Sequence, residues 1–182
     1  MALSKIFNEI ILETALAELF DFNKIVPYDF QQIGNDSYKF LVRDGILCTV
    51  FLENVTVNKE IIEFSPLLKN VKEVINASFD LNGVDTQYSK ENLSEFLKIL
   101  LTVKICVNDY VDKHKPECVV VVPMSKLGLG NSDKQKDMIY RSIWKKYPIS
   151  GYGVSDVKIK NFNAFCLYNI DKIKNIRDAR SI

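Results

Sequence analysis

Few side chains in this sequence combine the residue types and the spacing that ligand binding or catalysis requires. The glycine-containing segment Leu127–Asn131 comes directly before a predicted helix, where free backbone N–H groups can hold an anion. It lacks the third glycine of a dinucleotide fingerprint and the Gly-Lys-Ser/Thr of a phosphate-binding loop. An ordinary strand-to-helix loop is therefore the favoured interpretation, and phosphate binding is the alternative.

The single histidine and the nearby acidic residues are also explained without catalysis. Lys113, His114 and Lys115 follow one another at the predicted end of a long helix, where cations suit the helix dipole. A general base is the alternative role for His114, because imidazole titrates near neutral pH. Asp109 and Asp112 share the helix with Lys113, and a solvated helix face accounts for them. No serine lies in a context that resembles a nucleophile elbow.

The cysteines do not have the spacing of a zinc or redox site. Cys48, Cys106, Cys118 and Cys166 each lie in apolar sequence, and no two of them form a C-x-x-C pair. A metal site would need an unusual ligand set because the chain has one histidine. We therefore expect no metal, and four buried, reduced thiols in a reducing compartment.

The charge balance argues against a dedicated nucleic-acid-binding protein. The chain has 24 basic and 23 acidic residues and a formal net charge of +1, whereas such proteins normally show a basic excess or stripe. Basic residues do cluster around the second predicted helix, but Asp133 and Asp137 dilute them. A charged, solvated face is the favoured interpretation of that cluster, and nucleic-acid binding through the second helix is the alternative. The cluster consists of Lys134, Lys136, Arg141, Lys145 and Lys146.

The sequence does not predict export or membrane insertion. The apolar N-terminal stretch is interrupted by Asn8, Glu9, Glu13 and Glu18, so it lacks the unbroken apolar region of a signal peptide. No run reaches the roughly 18–20 apolar residues that span a bilayer. The hydrophobic content of 47% predicts a folded core. We expect a protein that is cytoplasmic as synthesised.

A helix–strand–helix unit organises the predicted fold. Apolar residues at helical spacing predict a long buried helix from about Lys90 to Lys113, ended by Pro116. The β-branched run Cys118–Val122 predicts a strand that is buried on both faces. Ser132 is predicted to cap a second helix, which runs from about Asp133 to Tyr147.

The clearest local signal N-terminal to that unit is a hairpin over Tyr38–Phe51. Asp44-Gly45 favours a two-residue type I′ turn, because both central residues must tolerate positive φ. Such a turn places Phe40 opposite Thr49. Both strand faces are substantially apolar, so we expect that each is covered.

Three further strands complete the predicted sheet. Val71–Asp80 is one, and Val154–Ile159 with Ala164–Leu167 forms a closing hairpin. We found no repeat or linker that would divide the chain. The sequence therefore predicts one α+β domain over residues 1–170, followed by a polar tail over residues 171–182.

The order of these elements resembles the GCN5-related N-acetyltransferase (GNAT) fold. The resemblance covers roughly residues 38–168 and is strongest in the C-terminal half. Val119–Val122 resembles the fifth strand of these enzymes, and Met138–Tyr140 with Tyr147 and Gly151-Tyr152 resembles their last helix and the turn after it. The resemblance implies a mixed central sheet with a long buried helix packed on it.

The resemblance also implies a site. Tyr140 would be the acid near the thioester sulfur of acetyl-CoA, and Asn131 would lie near the pantetheine, although it is two residues farther from Tyr140 than is usual. The pyrophosphate loop of the family, Arg/Gln-x-x-Gly-x-Gly/Ala, should follow the strand at Val71–Asp80. Residues Asp85–Lys90 occupy that place and include no glycine, although the glycines let the backbone approach the pyrophosphate.

Two hypotheses follow for the function. Leu97–Met124 and Ile139–Tyr152 also resemble small uncharacterised proteins of tailed bacteriophages. With the altered loop and an amphipathic N-terminal helix over residues 4–20, this favours a non-enzymatic interaction protein without a cofactor. It would be a phage accessory or virion-associated structural protein that binds another protein or itself, and residues 1–20 would either bind that partner or pack on the sheet. The alternative is an N-acyltransferase that uses acetyl-CoA.

Overall fold

One mixed sheet with two α-helices makes up the regular structure of the described residues. The computed structural model describes residues 24–55, 71–82, 93–121, 131–159 and 162–173. The elements in chain order are β1 (Phe30–Ile33), β2 (Ser37–Leu41), β3 (Leu47–Asn54), β4 (Val74–Asp80), α1 (Leu93–His114), β5 (Cys118–Val121), α2 (Asn131–Lys146), β6 (Tyr152–Ile159) and β7 (Phe162–Asn169).

The strand order places the one parallel pair in the interior of the sheet. The order is β1-β2-β3-β4-β5-β7-β6, and every neighbouring pair is antiparallel except β4 and β5. Parallel neighbours need a long crossover connection, and α1 lies in that connection. The predicted α+β class, the mixed central sheet and the long helix are confirmed.

Helix α1 is buried over most of its circumference because apolar residues recur on several of its faces. It ends at His114, and Lys115 then adopts a positive φ of 47° and donates its backbone N–H to the Val111 carbonyl at 2.9 Å. This is a left-handed helix end, and Pro116 follows it. Its buried apolar residues are Phe96, Leu97, Ile99, Leu100, Val103, Cys106, Val107, Tyr110 and Val111.

Strand β5 and helix α2 also lie where the sequence predicts them. All four residues of β5 are buried, as expected for a strand covered on both faces. Helix α2 begins at Asn131, so Ser132, the predicted cap, lies inside the helix. The predicted N-cap is thus wrong by one or two positions, within the usual uncertainty of helix ends.

The two faces of the sheet carry separate apolar clusters. Both helices pack on one face, which we call the helix face, and alternate residues of β2 to β7 point into that cluster. The opposite face, here the second face, carries a smaller cluster of Val71, Val74, Cys118, Val120, Val157, Ala164 and Cys166.

The hairpin of β2 and β3 is confirmed, but its predicted turn and register are wrong. A three-residue 3₁₀ turn, Arg43–Gly45, replaces the two-residue turn, and Phe40 lies opposite Cys48 instead of Thr49. Gly45 has a φ of +75°, as in a three-residue loop that ends in a left-handed residue. The shift by one residue turns the side chains of β3 over. Cys48 therefore faces the helices together with Phe40.

The closing hairpin of β6 and β7 is confirmed and is longer than predicted. Gly153 lies opposite Tyr168, and a Cβ atom added at Gly153 would lie 2.7 Å from Cε2 of the tyrosine ring. Glycine at position 153 therefore makes room for the neighbouring ring. In the adjacent residue, the Tyr152 hydroxyl donates to the Pro116 carbonyl at 2.6 Å, which connects β6 to the segment that follows α1.

The prediction of four free thiols is wrong for two of the cysteines. Cys118 on β5 and Cys166 on β7 are paired as a disulfide with their Cα atoms 6.5 Å apart, whereas Cys48 and Cys106 are free and buried. The paired residues are 48 positions apart in the chain. Their contact follows from the antiparallel register of β5 and β7.

The segment before β1 is held on α1 by Tyr28. Its backbone N–H donates to Thr102 Oγ1 at 2.9 Å, its hydroxyl donates to Glu95, and its ring stacks on Phe40 at 5.7 Å. The N-terminal helix predicted over residues 4–20 lies outside the described residues, as does the tail from residue 174 onward.

Candidate functional site

The parallel strands β4 and β5 form the edge at which a ligand site is most expected. Their pairing runs from Val74–Cys118 to Ala77–Val121, and β4 continues beyond it to Asp80. Ligands of open α/β sheets bind at the carboxyl ends of parallel strands, beside the crossover helix. Both helices of the described chain contribute side chains at this edge.

An apolar cavity lies on the helix face at this edge. The volume open to the centre of a water molecule is about 10 Å³, close to the lower limit for holding one water. Ordered water also needs two to four polar partners, and the lining is almost wholly apolar. The lining residues are Ala77, Phe79, Leu100, Val103, Val107, Val121, Tyr140, Ile143 and Trp144.

Tyr140 lies against this cavity between two aromatic rings. Its ring stacks on Phe79 at 6.5 Å and meets Phe96 edge to face at 6.2 Å. The side chain is 6% exposed, and its hydroxyl has no hydrogen-bond partner among the described residues. Burial raises the pKa of Tyr140 well above the usual tyrosine value. The hydroxyl is therefore protonated, and it is enclosed by apolar groups.

Asn131 is separated from Tyr140 by nine positions of α2. At 1.5 Å per residue they are about 13–14 Å apart along the helix axis and on opposite sides of it. The side chain of Asn131 lies outside the described residues, as do residues Leu127–Gly130 of the predicted loop. The cofactor-binding role of Asn131 and the acid role of Tyr140 both stay predictions.

Lys104 is a buried residue beside Trp144, a residue of the cavity lining, and the sequence analysis did not single it out. It is 5% exposed, its Nζ lies 3.5 Å from Asn108 Oδ1, and it lies 5.6 Å from the centre of the Trp144 ring. Burial lowers the pKa of its amine. The signal was present in the sequence, because Lys104 follows Leu100 by four and precedes Val111 by seven, within the apolar pattern of the helix.

Asp109 does more than cover a solvated face. Its carboxylate accepts a hydrogen bond of 2.8 Å from the buried Tyr38 hydroxyl and pairs with Lys113, whose Nζ also donates to Gln32 at 2.7 Å. Partial burial alone would raise the pKa of Asp109, but these hydrogen bonds outweigh burial and hold it below the usual value. This network links β1, β2 and α1. Asp112 pairs with Lys115 at 3.2 Å on the surface.

The remaining predicted residues occupy the ends and outer surface of the helices. His114 is the last residue of α1, and its ring lies 4.4 Å from that of Tyr110. Arg141 of the basic cluster forms an ion pair with Asp156 of β6 at 2.5 Å. The side chains of Lys134 and Lys136 lie outside the described residues. These positions agree with a capping role for His114 and a structural role for Arg141.

Comparison with known proteins does not assign the chain to a family. No protein-family model, curated protein or solved structure matches it. In the part of the chain that the structure describes, no group of three or more His, Cys, Asp or Glu side chains is placed to hold a metal ion. Over the same residues, no helix has the length and apolarity to span a membrane.

Proposed function

We propose that this chain is a non-enzymatic interaction protein that associates with a second copy of itself. The association uses the second face of the sheet at β1, β2 and β3. The observation that carries the proposal is the exposure of two large apolar side chains there, Leu41 at 62% and Ile33 at 42%. Exposed apolar groups that share one surface are typical of an interaction site.

The neighbouring side chains extend this apolar surface. The register places the half-buried Leu47 beside Leu41, and it aligns Ile33, Ser37 and the half-buried Phe51 in one row across the three strands. Strand alternation puts all of these side chains on the same face. The face thus carries two apolar groups, Leu41 with Leu47 and Ile33 with Phe51, and Lys39 lies between them.

The charges on this face suit a second copy of the same chain. Lys39 of β2 and the exposed Glu53 of β3 both point to the second face. A two-fold axis makes residue i of one copy contact residue j of the other and the reverse. An axis between Lys39 and Glu53 therefore forms two opposite-charge pairs around the apolar contacts.

The packing at the candidate site also supports an interaction role. Phe79, Phe96 and Tyr140 fill the space beside the carboxyl ends of β4 and β5. A thioester that reached the Tyr140 hydroxyl would have to displace these rings. In this proposal, the packed side chains at the candidate site keep the sheet rigid for association.

Light scattering coupled to size exclusion tests the proposal. The chain should elute as a dimer or larger, and Leu41→Lys should shift it to the monomer because a lysine in the apolar contact must be desolvated. Val26→Lys is the matched control, since Val26 is 74% exposed and lies outside the face. A wild-type chain that stays monomeric at all concentrations contradicts the proposal. Deletion of residues 1–20 tests whether that segment contributes.

An acyl-CoA-dependent N-acyltransferase is the second candidate. The strand order, the crossover helix between the parallel strands β4 and β5, and the position of Tyr140 beside the cavity support it. Consumption of acetyl-CoA in the presence of amine acceptors, lost in Tyr140→Phe, would establish this activity.

A role as an accessory or virion-associated protein of a tailed bacteriophage rests on the sequence resemblance alone. Helix α1, strand β5 and the second half of α2 carry that resemblance. Mass spectrometry of purified phage particles from the source of the chain tests it. Peptides of the chain in intact particles would support virion association, and their absence from particles but presence in the infected cell would favour an accessory role.

A further inference from the structure

The Cys118–Cys166 disulfide joins two interior strands of the sheet. Cys118 belongs to β5, which lies between β4 and β7, and Cys166 belongs to β7, which lies between β5 and β6. The register places Cys118 opposite Tyr168. Cys166 lies opposite Val120, so the two cysteines are diagonal neighbours on the second face. Their Cα atoms are 6.5 Å apart, within the range that a disulfide spans.

Both cysteines are shielded from solvent. Cys118 is 0% exposed and Cys166 is 1% exposed, and both belong to the apolar cluster of the second face. Thiol–disulfide exchange starts when a thiolate attacks one of the two sulfur atoms. A thiolate is an anion, and moving an unpaired anion from water into apolar surroundings is costly. A reductant in solution therefore cannot attack this disulfide while the cluster is intact.

Separation of β7 from β5 removes packing on both faces of the sheet. Phe165 and Leu167 of β7 belong to the cluster on the helix face, and the Phe165 ring lies 5.6 Å from the Trp144 ring of α2. Ala164 and Cys166 belong to the cluster on the second face. All four of these β7 side chains are at most 1% exposed. The strands that carry the disulfide therefore cannot part without the loss of both clusters.

We propose that the folded protein retains the redox state in which it folded, because the Cys118–Cys166 pair exchanges with thiols or disulfides in solution only when the chain unfolds globally. The cross-link, once formed, then persists in surroundings of either redox state. A folded chain whose cysteines are reduced likewise stays reduced, because a thiol buried in apolar surroundings forms the attacking thiolate less readily. This property does not depend on the self-association proposed above.

The exchange reaction in the unfolded chain is balanced by a dithiol reductant. A thiolate of the reductant attacks one cysteine sulfur, the S–S bond breaks, and the released cysteine sulfur takes up a proton. The second sulfur of the reductant then closes a ring disulfide and releases the other cysteine as a thiol. The protein gains two electrons and two protons, and the reductant loses the same number. The reverse reaction uses a small disulfide as the oxidant.

Reduction kinetics of the full-length oxidised protein test the proposal. Samples taken during incubation with dithiothreitol are unfolded and alkylated, and peptide mapping by mass spectrometry measures the free thiols at Cys118 and Cys166. The native chain should be reduced at least about a thousandfold more slowly than the chain unfolded in urea, because the folded state of a stable domain is favoured by at least that factor. Low urea should accelerate the reduction, and the slope of the logarithm of the rate should match the slope of global unfolding, since the same surface becomes exposed.

Tyr38→Phe is an independent test outside both strands of the disulfide. The Tyr38 hydroxyl donates to Asp109 of α1, so the substitution should raise the equilibrium constant for unfolding by about tenfold or more. The reduction rate of Cys118–Cys166 should rise by the same factor. Lys145→Gln, at an exposed position of α2, is the control and should leave the rate unchanged.

Four results would overturn the proposal. One is a native chain that is reduced less than about a thousandfold more slowly than the unfolded chain. Another is a urea slope well below that of global unfolding, since a local opening would then expose the disulfide. The third is a Tyr38→Phe variant that is less stable but is reduced at the wild-type rate. The fourth is a chain purified without reductant in which Cys118 and Cys166 are free thiols. The self-association proposal is tested separately, by the mass of the chain in solution.

Discussion

Replacement of Tyr140 by phenylalanine should stabilise the protein, because it removes a buried hydroxyl that has no hydrogen-bond partner among the described residues. Phenylalanine keeps the ring contacts with Phe79 and Phe96, so no cavity forms. A buried polar group without a hydrogen bond costs about 1–3 kcal/mol of desolvation. The free energy of unfolding should rise by about that amount. For a chain of this length the unfolding midpoint should rise by roughly 2–12 °C.

Tyr38→Phe is the matched control because the same atom is removed from a tyrosine with the opposite environment. The Tyr38 hydroxyl is buried and donates to the Asp109 carboxylate at 2.8 Å. Hydrogen bonds to charged groups contribute about 1.5–3 kcal/mol, so this variant should be destabilised. Two substitutions of equal size should thus move the midpoint in opposite directions.

Thermal and urea unfolding of both variants measure these changes. The reasoning is refuted if Tyr140→Phe lowers the free energy of unfolding by about 1 kcal/mol, the usual loss for a satisfied hydrogen bond. That result would mean that the Tyr140 hydroxyl has a partner, such as an ordered water in the cavity. The environment of Tyr140 described above would then be wrong.

Three further predictions concern the network, the closing hairpin and the disulfide. The folded-state pKa of Asp109 is lowered, so its contribution to stability is complete above the unfolded value near 4 and is lost as the pH falls through the folded value. In Asp109→Asn, the free energy of unfolding measured in urea should therefore fall less steeply at acid pH. Gly153→Ala should cost about 1–3 kcal/mol because Tyr168 must move, and less in a Tyr168→Ala background. Thiol titration of the unfolded, unreduced chain should count two of the four cysteines, and reduction of Cys118–Cys166 should lower stability by about 4 kcal/mol for its 48-residue separation.

The sequence predicts the helices and the interior strand well because their signals are local. Helix α1 has a long apolar repeat that ends at Pro116, and β5 has a continuous β-branched run. The long repeat is typical of a helix, and a short β-branched run that follows a proline is typical of a buried strand. Tertiary packing therefore stabilises the same local structure that these segments already favour.

The register of the β2–β3 hairpin is a feature that local sequence signals do not determine. Asp44-Gly45 suits a two-residue turn and also a three-residue turn with Gly45 in the left-handed region. Alternation normally decides between them, but both faces of these strands are substantially apolar. Packing of Tyr38 and Phe40 against the helices selects the three-residue turn, and the hairpin sequence alone does not reveal that packing.

The candidate site was only partly predictable. Tyr140 was found through a resemblance, and its apolar surroundings follow from residues of four different elements. The burial of Lys104 is not predicted, because a lysine is ordinarily assigned to the solvated side of a helix. Its burial beside Trp144 depends on how α1 and α2 pack. The Cys118–Cys166 pair depends on strand register across 48 residues, which cysteine spacing does not reveal.

The molar mass of the intact chain in solution tests the central proposal most directly. Sedimentation equilibrium over a wide concentration range should give at least twice the 20.9 kDa of one chain, and Leu41→Lys should return it to the mass of one chain. The measurement repeated with acetyl-CoA should give the same mass. A mass of one chain at every concentration, together with an unfolding midpoint that rises with acetyl-CoA, would contradict the interaction role and favour the acyltransferase.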